Sequence, residues 1–95
     1  MLEIEKAEYA GNYNIYLVFN DGRKGNANLE PAIFNDTRPI FARLRDQSAF
    51  ADFKLAHSTV VWSDDLDIAS EYLFFLAFKD DPDLQNTFRV WGYIS

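Results

Sequence analysis

Apolar residues recur at every second position through Tyr13, Ile15, Leu17 and Phe19. That period lines one face of a strand and predicts a half-buried β-strand. Asn20-Asp21-Gly22 follows, and Asp-Gly supplies the positive φ angles that a tight hairpin turn requires. Arg23 to Leu29 is therefore expected to return antiparallel, with Gly25, Ala27 and Leu29 toward the core. Leu2 to Ala10, joined through the turn-forming pair Gly11-Asn12, is expected to pair as a further strand. The N-terminal third reads as a meander.

After Leu29 the punctuation changes. Pro31 suits the first turn of a short helix carrying Ile33 and Phe34, with Asn35-Asp36-Thr37 as a cap. Pro39 opens a second helix in which Ile40, Phe41 and Leu44 form an apolar stripe, while Arg38, Arg43 and Arg45 project as a solvated rim. Asp46 to Phe50 reads as a turn or helix start. Phe53 to His57 and Thr59 to Trp62 then form a second hairpin, where the Trp62 indole needs an acceptor if its ring is buried.

From Trp62 to Leu73 the chain is expected to pass from strand to helix, with Asp67 or Ser70 as N-cap. An aromatic helix near residues 68–79 would put Ile68, Tyr72, Phe75 and Leu76 on one face and Phe74 and Phe78 on another. One sheet cannot cover both. Beyond the stop at Lys79 to Pro82, Phe88 to Ile94 alternates like a strand. That tail either packs on its own domain or adds as a strand to a partner or a second copy.

These elements, with 95 residues at 48% hydrophobic and 17% aromatic composition, predict one α+β domain over residues 1–95. Its antiparallel sheet would combine the meander with the second hairpin. The chain has no cysteine, which removes disulfides and thiolate chemistry and favours a cytoplasmic home. Met1 to Lys6 alternates charge with apolar residues and offers no secretory core, and the apolar run Tyr72 to Phe78 is too short to span a bilayer. A net charge of −6 opposes long-range approach to nucleic acid or anionic membrane. The expected partner is a small protein or a second copy, with no direct nucleic acid and no membrane.

Chemistry is sparse. His57 is the one histidine, and no Gly-x-Ser-x-Gly elbow accompanies it, so it reads as a strand-end residue. Asp64, Asp65, Asp67 and Glu71 lack the glycine and spacing of a calcium loop, and helix capping explains them more simply. Asp80, Asp81 and Asp83 are interrupted by Pro82. No phosphate cradle or dinucleotide fingerprint is present among Gly11, Gly22, Gly25 and Gly92. No catalytic residue, metal or cofactor is expected.

The Asp21-Gly22 hairpin, the helix end Phe41-Ala42-Arg43-Leu44-Arg45-Asp46, Phe50 and the Trp62 to Leu73 segment together resemble a bacterial family, domain-of-unknown-function family 2442, over roughly residues 2–76. The usual pattern after the tryptophan is Pro-Asn-Gly-Ala-Asp-Leu-Ala-Pro-Glu. Here Asp67, Ala69 and Glu71 match, while Ser63, Asp64 and Asp65 replace the first three residues and Ser70 the later proline. The resemblance implies an α+β fold and no catalytic role. It also implies that members are often encoded beside a second small protein or fused to a helix-turn-helix domain. This chain has no room for such a domain, so any transcriptional role is expected to be indirect. Residues 80–95 form an extension beyond the resemblance.

Two functions follow as expectations. The first is a non-enzymatic protein-interaction module, the acidic regulatory or antitoxin-like member of a two-protein system, contacting its partner through Phe74, Phe78, Trp91 and Tyr93. The second is a small ligand-binding or enzymatic domain using the family-motif residues Trp62, Asp67 and Glu71.

Overall fold

The alternation in the N-terminal third becomes a three-stranded antiparallel sheet of β1 (Ile4–Gly11), β2 (Asn14–Phe19) and β3 (Lys24–Asn28). The computed structural model describes residues 1–37, 39–63 and 66–95, without the side chains of Ile40 and Ser63. Arg38 of the basic rim and Asp64 and Asp65 of the acidic group thus lie outside the described residues, as does the side chain of Ile40 of the apolar stripe. Ile15, Leu17, Phe19, Ala27 and Leu29 are fully buried, as period-two alternation requires.

The two turns of this meander differ. At β2–β3, Gly22 takes the left-handed conformation at φ 91°, its N–H bonds the Phe19 carbonyl, and the Phe19 N–H bonds the Arg23 carbonyl. This is a type I turn closed by a glycine bulge. At β1–β2 the loop pair is Asn12-Tyr13, both at positive φ, 52° and 64°. A bulky residue is strained there. Burial holds it in place: the Tyr13 ring meets Phe34 and Phe50 edge-on, and its hydroxyl donates to the Arg45 carbonyl.

Helices α1 (Glu30–Asn35), α2 (Pro39–Ala42) and α3 (Gln47–Ala51) follow, with a 3-10 turn at Arg43–Arg45. Pro31 occupies the first turn of α1, where its missing N–H costs no hydrogen bond. Asp46 caps α3 by accepting from the Ser48 N–H. Ile33, Leu44 and Phe50 carry these segments into the core, while Arg43 and Arg45 are exposed.

The second hairpin, β4 (Lys54–Ala56) and β5 (Thr59–Ser63), turns at His57-Ser58 with both residues at positive φ. It forms its own antiparallel sheet, because β6 (Leu66–Ile68) pairs with β5. The α+β class holds, and the hairpin gains a third strand. One backbone bond, from the Ile4 N–H to the Ser58 carbonyl at 3.0 Å, ties the two sheets.

α4 (Ser70–Phe78) is apolar from Tyr72 to its end, and a helix apolar on every side must be covered on more than one face. Phe74 and Phe78 lie against the first sheet: Phe74 meets the Phe19 ring edge-on at 5.1 Å, and Phe78 lies over Gly25. A Cβ on Gly25 would sit 2.9 Å from the Phe78 ring, so glycine is what lets the helix approach β3. The opposite face is covered by the tail.

That tail is α5 (Gln85–Trp91), preceded by a 3-10 turn at Pro82–Leu84, and the expected strand over residues 88–94 is corrected. Phe88, fully buried, packs on Phe74 and Phe75, and Tyr93 stacks on Phe75 at 5.1 Å. Gly92, at φ 89°, donates to the Arg89 carbonyl while the Tyr93 N–H reaches the Phe88 carbonyl, a Schellman close of the helix. Val90, which a strand would have turned inward with Phe88, is 75% exposed.

Two outcomes are expected. Phe88→Ala should cost about 3–5 kcal/mol of stability, whereas Val90→Ala should stay within about 0.5 kcal/mol, both read from urea denaturation. The second concerns alkali: burial, with the nearby charges of Tyr9, Glu30 and Asp46, raises the Tyr13 phenol, and burial with Glu71 and Tyr72 raises that of Tyr93. Both phenols hold their protons more tightly in the folded state. Their contribution is complete below the ordinary value of 10.0 and is lost as pH rises through the raised one. Tyr13→Phe and Tyr93→Phe should each flatten the fall in urea midpoint above that pH.

Candidate functional site

The residues singled out in the sequence separate into three places. Trp62 lies beside α3, packed on Phe50 and Phe53, and its indole N–H donates to the Phe50 carbonyl at 2.7 Å. The acceptor that a buried tryptophan needs is thereby supplied. A small depression of about 160 Å³, shared with Arg43, Leu44, Ala49, Asp52 and Leu66, adjoins it.

Asp67 is not a helix cap, which corrects that expectation. It lies exposed on β6 opposite Val61, because pairing with β5 extends the chain there. The N-cap of α4 is Ala69, with no side-chain capping bond, and the single hydrogen of the Ser70 hydroxyl has the Leu2 carbonyl and Glu71 Oε1 as its two acceptors within reach. Glu71 stands in the first helical turn, where its charge complements the helix dipole. Asp81 does cap, accepting from the Asp83 N–H at 2.9 Å.

The aromatic group is continuous. Phe74, Phe78, Trp91 and Tyr93 connect through ring contacts of 4.9–6.3 Å. Phe74 is 3% exposed and Phe78 and Tyr93 are half-buried, so Trp91, beside Val90, is the member that faces outward at 40%.

A concave site lies elsewhere. A groove of about 400 Å³ opens between α1–α2 and the junction of β6 with α4, a volume suited to a ligand or an inserted side chain. Leu29, Ile33, Phe41, Ile68 and Tyr72 supply its apolar lining, Ala32 and Ala69 keep it open, and Asn35, Asp36 and Asp67 add polar groups. Pro31 and Pro39 set the two short helices that form one wall; the β5–β6 pairing sets the other. Thr59, buried beneath this pairing, donates its hydroxyl to the Ile68 carbonyl. Among the described residues no buried side-chain nitrogen or oxygen lacks a hydrogen bond, and no group of three His, Asp or Glu side chains converges as a metal site.

Of the family-motif residues, the groove takes Asp67 with its neighbours Ile68 and Ala69, while its aromatic walls are Phe41 and Tyr72 rather than Trp62. Asp36 reads in the sequence as part of a cap and Phe41 as part of an apolar stripe, and with Ala32 they reach Asp67 only through the fold. The prolines flanking them marked the helices, not the space between.

This α+β fold, two small sheets bridged by short helices with an acidic-edged groove, defines the chain as a small domain of a family without an assigned activity. It belongs to the DUF2442 family of proteins of unknown function, which matches residues 4–79. No curated protein matches the chain. Among solved structures, a Nitrosomonas europaea protein described as a "Putative DNA Binding Protein" is similar, with TM-score 0.74 and 15% identity. The similarity covers all of this chain and 63% of that one, so the present chain spans less than two thirds of its neighbour's length.

The neighbour corrects the expectation of no direct nucleic-acid partner. That expectation rested on a net charge of −6, and the same fold occurs in that "Putative DNA Binding Protein". Net charge governs long-range approach and does not fix what a local surface contacts. Likeness at this identity shows the fold alone. Among the described residues, no helix is long and apolar enough to cross a membrane.

The Trp62 bond gives a local test. Trp62→Phe keeps an aromatic ring against Phe50 and Phe53, smaller than indole, and leaves the Phe50 carbonyl without its donor, and should lower stability by about 1–3 kcal/mol in urea denaturation.

Proposed function

We propose that this chain is a non-enzymatic protein-interaction module whose recognition surface is the groove between α1–α2 and the β6–α4 junction. The observation that carries this reading is the groove itself: a concave apolar surface of about 400 Å³, assembled from both halves of the family-matched region. Concave apolar sites with a few polar groups at their edge are where small domains most often take a ligand or an inserted side chain. The aromatic tail lies outside the matched residues, and Phe74 and Tyr93 are occupied in packing α5 on α4. Trp91 is kept as a secondary contact.

In its narrower form the chain is the acidic regulatory, antitoxin-like member of a cytoplasmic two-protein system. The net charge of −6, the absence of cysteine and the family's tendency to be encoded beside a second small protein support this form. The groove's volume also suits a small ligand, which keeps that second reading in the test.

The experiment is co-purification from the native cell with the wild-type chain and with Ala32→Trp, which fills the groove from its partly exposed wall. A protein partner should be recovered with the wild type and with Val90→Ala, and reduced roughly tenfold or more with Ala32→Trp. Recovery of the isolated chain, of a small ligand alone, of DNA alone, or of a protein complex indifferent to Ala32→Trp would overturn the proposal.

A further inference from the structure

We infer that Asp21-Gly22 is a site of spontaneous backbone isomerisation, from aspartate through a succinimide to isoaspartate, which the folded turn holds in check by hydrogen-bonding both reacting groups. This site lies outside the groove and does not depend on it. Asp21 is the one Asp or Asn in the sequence that is followed by glycine. A side chain on the following residue obstructs attack of its nitrogen on the carboxyl carbon, and glycine has none. Asp21, Gly22 and Arg23 are all exposed, and a Cβ on Gly22 would meet nothing within 4 Å, so water reaches the turn.

The chemistry is two steps that lose and regain one water. The Gly22 nitrogen bonds to Asp21 Cγ, while the carboxyl hydroxyl and the amide hydrogen leave together as water and a five-membered ring closes. Water then adds across one ring C–N bond, its hydroxyl to the carbon and its hydrogen to the nitrogen. Opening at Cγ restores aspartate. Opening at the Asp21 main-chain carbonyl carbon leaves the chain running through Cβ and Cγ, with the former main-chain carbonyl as a free carboxylate. No oxidant, reductant or further reactant takes part.

Ring closure needs a protonated carboxyl and a Gly22 nitrogen free to approach it. The turn opposes both. The Gly22 N–H donates to the Phe19 carbonyl at 3.0 Å. The Asp21 carboxylate accepts from the Arg23 N–H at 2.9 Å through one oxygen and from the Arg23 guanidinium at 2.8 Å through the other. Burial acts to push this carboxyl up, but the Arg23 N–H and guanidinium together outweigh it and hold the group below its ordinary value of 3.8, in the charged form that resists attack. The same guanidinium lies 5.8 Å from the Phe74 ring centroid, which fixes it from the α4 side. Isomerisation would reach beyond the turn, because the added methylene falls between β2 and β3. Asn20 beside it donates to the Met1 carbonyl at 2.7 Å and accepts the Glu3 N–H at 3.0 Å, so the start of the chain is tied to the same turn.

The test is incubation of the full chain at neutral pH in ¹⁸O-enriched water, folded below its melting temperature and unfolded in urea. The equal-mass aspartate and isoaspartate forms of the peptide carrying residues 21 and 22 are then separated by chromatography after proteolysis. The folded wild type should accumulate isoaspartate roughly tenfold or more slowly than the unfolded chain, the size expected from the three hydrogen bonds. Arg23→Gln should speed the folded chain roughly two- to fivefold, the weight of an exposed charge pair, while Arg23→Lys stays near wild type. Val61→Ala destabilises the second sheet away from the turn and should leave the folded rate near wild type, which separates local release from global unfolding.

No isoaspartate at Asp21 in urea, product lacking ¹⁸O, or equal rates in the folded and unfolded chains would overturn the inference. So would an Arg23→Gln rate equal to wild type, or acceleration by Val61→Ala that matches that of Arg23→Gln.

Discussion

The two halves of the fold meet on one aromatic ring. Phe50, fully buried on α3, is met edge-on by Tyr9 and Tyr13 from the first meander and by Phe53, and is packed against Trp62 of the second sheet. The Phe50 carbonyl also accepts the Trp62 indole hydrogen, so ring and backbone of one residue hold the second sheet. Aromatic pairs of this kind add roughly 0.5–1.5 kcal/mol each beyond buried area, and several converge here. The groove depends on this lock, because one of its walls follows the first sheet through α1 and α2 and the other belongs to β6 and α4.

A second constraint acts at α4. A helix apolar from Tyr72 to Phe78 has no stable solvent face, and the chain satisfies it from both sides. Gly25 gives the Phe78 ring room against β3, and Phe88 with Tyr93 closes over Phe75. The family-matched residues end at the close of α4, so the aromatic excess of this helix and the α5 extension are complementary parts of one packing arrangement. Phe74 consequently contributes to stability, and the outward-facing surface of the tail is narrowed to Val90 and Trp91.

What could be read along the chain was local. Period-two alternation placed Ile15, Leu17 and Phe19 inward, Gly22 took the left-handed turn position, and Pro31 and Pro39 marked helix starts. Each signal acts within a few residues. The tail was misread because Phe88, Val90 and Ile94 alternate as a strand face, while Phe88 and Trp91 are equally spaced for a helix face; Gly92, as a left-handed C-cap, decided the matter. Asp67 was misread as a cap because β6 is only three residues long and exists through its pairing with β5. The groove was illegible for the same reason on a larger scale: residues 29–41 and 67–72 meet only in three dimensions.

Fold similarity and surface chemistry therefore answer different questions. At 15% identity the Nitrosomonas europaea neighbour preserves how the strands and helices pack, and packing tolerates wide exchange of apolar side chains when volume and pattern are kept. Rim residues face no such constraint. A carboxylate at Asp67 stabilises neither a cap nor any buried hydrogen bond, since strand pairing of β6 runs through backbone groups. Its exposed charge is separable from the folding requirements that fix Ile68 beside it. The acidic edge of the groove thus belongs to the part of the chain that the packing of its sheets does not fix.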